Sequence, residues 1–435
     1  MEKEIYIKKG WLFIPVCATY GELPFGGKKN NRMLEIFCRE DNSETKLFEF
    51  QIPAGEAEDE TYPVSYYARF PVKQFTDKTL ILRGDLRKAF FDGIRNEDVP
   101  AAEKKYFCNG QGEAFRRPSI HFTPQTGWMN DPNGLVYADG VYHLYFQHNP
   151  FDVQWENMSW GHAVSKDLLH WEQKDDVLFP DETGTMFSGS GIVNDRKMLG
   201  LPENALVFFY TAAGNNNKWS AGKQFTQRIA YSTDLLKWEQ TDSVRHAAYI
   251  NKMAYAAQTY SNTGDRVISV LWLRLPNRGR NYTGAMGLPR EFSVAYKNGE
   301  KVLRQEPVRE YENSKKLVYD STENTFQWKF GQDTATEIQI TRAQSEDILS
   351  ARINQKFNVV YNAKTGELKA GEETVSIGAG IRDFSLLFDD VILEVTADCG
   401  TIIGIFELPE VAEKFCVEKG SIEKIQVFGE EVWQP

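Results

Sequence analysis

The sequence is poor in the residues on which metal and redox chemistry is built: its 435 residues include five cysteines and six histidines. The cysteines, Cys17, Cys38, Cys108, Cys399 and Cys416, are scattered, odd in number and never spaced C-x-x-C. Neither a disulfide framework nor a zinc site is therefore expected. No H-E-x-x-H segment occurs, and the expectation is a chain with no cofactor and no metal. Positive charge is also in deficit, with 50 Lys and Arg against 61 Asp and Glu, a net charge of −11. Without a general basic field, neither nucleic acid nor an anionic membrane surface is an expected partner. No apolar run approaches the ~20 residues that span a bilayer. The nearest approach to a secretion leader, Trp11 to Ala18 behind Lys8 and Lys9, is broken by Pro15 and preceded by Glu2 and Glu4. That is the wrong charge in front of a short apolar core, and the expected location is cytoplasmic.

What the sequence does have is aromatic side chains, 28 Phe, 19 Tyr and 10 Trp, which suit β-strands and the stacking of flat rings, sugars included. The length is about three times a ~150-residue domain. Residues 1–115 carry period-two strands such as Arg32–Phe37 and Leu47–Ile52, separated by Gly, Asn and Asp turns, which predicts a small β-sandwich. Over 116–291 the texture changes, and Val164–Gln173 returns as Tyr231–Gln240, displaced by 67 residues. Each copy follows a strand pair, His143–Phe146 and Leu206–Tyr210, the mark of a β-propeller blade. Residues 292–435 alternate strands and turns again, as in Phe357–Tyr361 before Asn362 to Gly366, and predict a second β-sandwich. Helical periodicity is scarce, with one short turn expected near Leu408 to Ala412. The fold class is all-β.

The densest cluster of unusual residues is Gly127-Trp128-Met129-Asn130-Asp131-Pro132-Asn133-Gly134. Its composition reads as a tight turn, which Asx chemistry alone would explain. Trp128 nevertheless supplies a stacking wall, and Pro132 fixes the backbone beside a carboxylate. On a rigid turn at the mouth of a propeller channel, Asp131 is placed to attack an anomeric carbon.

From His121-Phe122-Thr123-Pro124 through Trp171 the chain resembles the opening of glycoside hydrolase family 32, the β-fructosidases that include invertases, levanases and inulinases. The resemblance rests on the Trp128–Gly134 cluster, Tyr145-Phe146-Gln147-His148-Asn149-Pro150 and Trp160-Gly161-His162-Ala163, with Phe187-Ser188-Gly189-Ser190 and Leu288-Pro289-Arg290-Glu291 as further matches. It implies a five-bladed propeller followed by a sandwich, and a retaining double displacement on sucrose, levan or inulin-type β-fructosides. Asp131 matches the nucleophile. Asn130, Gln147, Trp155, Phe187 and Ser188 match residues lining the fructose pocket, and Trp272 is a match from the last blade. Each has a plainer reading: Phe187 and Trp272 as core, Gln147 as a strand-end amide, Trp155 as a surface aromatic.

Two acidic signatures of the family are missing. The only Arg-Asp pair, Arg382-Asp383, is followed by Phe384 and falls in the C-terminal sandwich, and no Glu precedes any of the five cysteines. Ile120 to Arg290 is about 170 residues, whereas five compact blades of ~40–45 residues need ~200–225. Blades one, two and five are recognisable, and two blades are absent. Glu182, Glu203 and Glu291 remain as substitutes for the acid. The expectation is a fructoside hydrolase by descent whose activity is in doubt; the alternatives are a non-catalytic fructan-binding protein and a homo-oligomer in which incomplete propellers complete one another.

Overall fold

The computed structural model describes residues 1–21, 30–40, 43–55, 61–98, 116–193, 203–204, 206–223, 226–232, 253–297, 299–331, 334–343 and 348–429. Within them the regular secondary structure is nearly all β-strand. Two short helices, Lys88–Gly93 and Arg309–Ser314, are the α-helical elements. The helical turn expected at 408–412 is not formed: those residues are bends and irregular backbone, as Pro409 denies the segment a backbone donor.

At the N-terminus a four-stranded sheet, ordered Glu2–Tyr6, Thr79–Gly84, Asn31–Glu40 and Ser43–Pro53, faces a three-stranded sheet of Tyr66–Pro71, Trp11–Val16 and Arg95–Glu97. Alternation along the strands sends Leu34, Ile36, Phe50 and Leu82 from one sheet and Leu12, Ile14, Ala68 and Phe70 from the other into one fully buried core. That core also takes in Phe151 and Val153 from the middle of the chain.

Three propeller-type sheets follow. The first is an antiparallel meander of Gly127–Ala138, Val141–Asn149, Ser159–Ser165 and Trp171–Gln173, joined by Tyr282–Thr283, which runs parallel to Gly127–Ala138. The second holds Thr185–Val193, Leu206–Ala213 and Thr226–Ser232. The third holds Ala254–Thr259, Val267–Leu273, Arg290–Lys297 and Glu300–Pro307, with Ala285–Met286 beside Val267–Leu273. The second copy of the sequence repeat enters this architecture only at Tyr231 and Ser232; Thr233 to Gln240 lie outside the described residues.

The first strands of the first two sheets and the residues just after Ala254–Thr259 meet at close range. Val136 bridges Ser261 in parallel, and the Ser261 hydroxyl donates to the carbonyls of Leu135 at 3.3 Å and Gly191 at 3.2 Å. Gly191 lies so close to Gly134 that a Cβ added at 191 would stand 2.8 Å from the Gly134 Cα and carbonyl oxygen. Gly191→Ala is therefore expected to push two strands apart and to destabilise by about 1–3 kcal/mol, which thermal unfolding of the variant would register.

The C-terminal unit is a sandwich of two six-stranded sheets. Its core, with Ile338, Phe384, Leu393, Phe415 and Ile425 all nearly or fully buried, is continuous with Leu271, Leu273 and Tyr282 of the propeller. The seam also carries charge. His121 is fully buried, with Nδ1 2.6 Å from Asp389 and Nε2 3.2 Å from Glu394. Glu394 also receives the Arg290 guanidinium and the Leu288 amide, and Asp389 accepts the amides of Ser119, Ile120 and His121. Burial alone would lower the pKa of His121, but its two carboxylate partners outweigh that and raise it to about 9.

Candidate active site

The Asn-Asp-Pro-Asn-Gly segment is not a hairpin turn. It lies inside the twelve-residue strand Gly127–Ala138, whose pairing with Val141–Asn149 slips between Met129 and Pro132 and again between Asn133 and Val136. Bulges are where a strand accommodates a proline and a left-handed glycine, here Pro132 and Gly134 (φ 49°). In a regular strand, neighbours point to opposite faces; the first bulge breaks that alternation, so Asn130 and Asp131 both line one cavity. The same device recurs in the next sheet. Thr185–Val193 slips against its partner between Met186 and Gly189, and Phe187 and Ser188 face the same cavity.

The cavity has a volume of about 610 Å³, within the range of small-molecule sites. All seven residues singled out from the sequence line it: Asn130, Asp131, Gln147, Trp155, Phe187, Ser188 and Trp272. The Ser188 hydroxyl donates to Asp131 Oδ2 at 2.6 Å, and the Asn130 amide donates to Asp131 Oδ1 at 3.1 Å. Trp128 Nε1 donates to Asn130 Oδ1 at 2.7 Å, which fixes the amide with its nitrogen toward the carboxylate. Both Asp131 oxygens are thus held before any ligand arrives. Gln147 is 1 % exposed and donates to the Met186 carbonyl at 2.8 Å, tying the first sheet to the second. Its plainer reading as a satisfied strand amide is accordingly true of one of its donors, while the residue still borders the cavity.

Aromatic rings form two walls. Trp155 meets Phe187 edge to face at 6.1 Å, and Trp128 meets Trp272 at 6.0 Å with a 57° tilt. Trp272 is 6 % exposed, so it is core and cavity wall at once. Trp155 rides on a loop fixed from both sides: Asn149 accepts from the Phe151 amide and donates to the Gln154 carbonyl. Beneath that loop Phe151 and Val153 are buried in the N-terminal core, and Gln154 donates to the carbonyls of Thr19 at 2.9 Å and Gly21 at 2.7 Å. The N-terminal sandwich thereby reaches the rim of the cavity at Gly21. Sequence reasoning missed this docking, and it also missed Tyr255, Arg274 and Asn277, which line the cavity as well.

Asp131 is the one carboxylate among the described lining residues. Glu182 and Glu203 are not in the lining, and Glu291 is held in the last sheet by Arg266 and Arg309, which bring its pKa down to about 2. Asp383 stands in the C-terminal sandwich, where it accepts from Thr341. Among the described residues no group of three or more His, Cys, Asp or Glu could hold a metal ion, and no helix is long and apolar enough to cross a membrane.

Comparison with known proteins bears on this site directly: residues 121–252 match the glycosyl hydrolases family 32 N-terminal domain. That stretch of the chain is of the glycoside hydrolase family 32 type. It is 44 % identical over 137 residues to a levanase of Bacillus subtilis, covering 31 % of this chain and 18 % of that one. It is also 44 % identical over 141 residues to an invertase of Schizosaccharomyces pombe, covering 30 % of this chain and 23 % of that one. The chain thus spans about a fifth of the length of these two relatives. In fold it is similar, with a TM-score of 0.60 at 14 % identity and full coverage of both chains, to a family 32 glycoside hydrolase structure from Bifidobacterium adolescentis.

Proposed function

We propose that the cavity receives the terminal fructosyl unit of a β-fructoside of the sucrose, levan or inulin type, with Asp131 as the nucleophile of a retaining reaction. One observation carries the reading: seven residues chosen from sequence alone converge on one cavity, where Ser188 and Asn130 hold both oxygens of Asp131. Asn130, Gln147, Trp155, Phe187, Ser188 and Trp272 are the proposed sugar contacts. The reading divides the chain into a leading sandwich over 1–115, propeller blades one, two and five over 116–291, and a trailing sandwich over 292–435. The levanase and invertase among the relatives support the substrate class.

A retaining mechanism needs a second carboxyl group about 5–5.5 Å from the first, acting as acid and then as base. With Asp131 the sole carboxylate in the described lining, the second reading, a protein that binds fructosides with little or no turnover, has a specific observation in its favour. General acid catalysis is typically worth ~10²–10⁴-fold, and the expected rate of fructose release from sucrose and from levan is low by about that factor. Sugar release measured beside calorimetric binding of fructose separates the cases. Binding with slow release supports the reading, release at an ordinary glycosidase rate points to an acid elsewhere in the chain, and failure to bind fructose sinks the pocket itself.

A further inference from the structure

The third sheet bulges at the cavity as the first two do. Ala254–Thr259 loses register with Val267–Leu273 between Tyr255 and Gln258, and Ala256 takes φ 51°, a left-handed conformation that residues with a Cβ seldom adopt. Bulges of this kind re-aim side chains and gather at functional sites. Tyr255 is the last residue in register before this bulge. It lines the cavity that holds Asp131 yet remains 58 % exposed, whereas Gln147 and Asn130 in the same lining are 1 % and 9 % exposed. Exposure therefore rises from the Asp131 end to Tyr255, which places this ring at the mouth.

The ring is also braced. Tyr255 is the cross-strand partner of Trp272 and meets it edge on at 6.4 Å and 68°. The Arg274 guanidinium covers Tyr255 at 4.7 Å from the ring centroid and reaches Trp272 at 5.6 Å. A flat, partly desolvated ring held by a cation at the mouth of a sugar-sized cavity is suited to stacking on the apolar face of a pyranose or furanose.

We infer that Tyr255, braced by Arg274, is the platform for the sugar next to the fructosyl unit, the part of the substrate that leaves. The inference rests on the fructosyl reading of the Asp131 end of the cavity. It assigns discrimination between a lone fructose and a longer fructoside to one residue outside the Asp131 cluster.

Calorimetric titration of the full chain with fructose, sucrose and a β-2,6-linked fructose trimer tests it. Tyr255→Ala is expected to weaken sucrose and trimer by up to about tenfold while leaving fructose within about twofold of wild type, and Tyr255→Phe is expected to retain wild-type affinity for all three. Equal loss for fructose and trimer, or no loss for any sugar, would overturn the inference and leave Tyr255 as a sheet-stabilising partner of Trp272, a role that thermal unfolding of the same variants would register. Failure of the wild-type chain to bind fructose would overturn the underlying reading instead, and the inference with it.

Discussion

Asp131→Asn is expected to remove whatever fructose release the chain supports, by at least about 10³-fold, with little loss of fold. The substitution keeps the size of the side chain and takes away its charge and nucleophilic oxygen. Ser188 can still donate to the amide oxygen, so the local structure has a ready partner, but an amide forms no fructosyl ester. Binding responds differently from turnover. The contacts proposed for Gln147, Trp155, Phe187 and Trp272 would persist, and fructose affinity is expected to change by less than about tenfold. Release insensitive to Asp131→Asn would show that the reaction proceeds at another carboxylate.

The second large effect is expected at the seam between propeller and C-terminal sandwich. Glu394→Leu removes an anion that faces both His121 and Arg290 in a fully buried cluster. Breaking such a cluster from one side leaves cationic charge without its counterion and typically costs about 3–5 kcal/mol, so a lower denaturation midpoint is expected for the seam. The wild-type cluster also predicts a pH window. His121, raised from 6.5 to about 9, contributes stability that is complete below about pH 6.5 and lost as pH climbs through 9. Burial would raise the carboxylate pKa values, but for Glu394 the Arg290 charge and for both Glu394 and Asp389 the hydrogen bonds from His121 outweigh it. Glu394 falls from 4.5 to about 2, and Asp389 also moves below its ordinary value. Their contribution is present above about pH 4.5 and is lost as pH falls toward 2. Maximum seam stability between about pH 4.5 and 6.5, flattened in Glu394→Leu, is the expected outcome of a thermal unfolding series.

The seam was invisible in the sequence because its partners stand far apart in the chain: His121 carries no local signal that Asp389 and Glu394, more than 260 residues away, will enclose it. The sheets were legible, since period-two patterns such as Leu34, Ile36 against Leu80, Leu82 require only one buried face. Of the site, the Trp128–Gly134 cluster was legible by a composition unlike a core strand, and the other members only through the resemblance to family 32. Their geometry was not. Asn130 to Gly134 reads as a turn by composition, yet the chain continues straight through as a strand, and two bulges supply the irregularity that a turn would have provided. Tyr255 escaped notice for a related reason: Tyr255-Ala256-Ala257-Gln258 carries no glycine or proline to announce that Ala256 is left-handed.

The loop that carries Trp155 belongs to two units at once. Its Phe151 and Val153 are fully enclosed by the N-terminal sandwich, while Trp155, four and two residues further on, faces the Asp131 cavity. The boundary between these units is thus not a seam along which the chain can be cut or exchanged. A lineage that recombined the leading sandwich with a different partner would have to carry residues 149–157 along with it, and that wall of the cavity would travel as cargo.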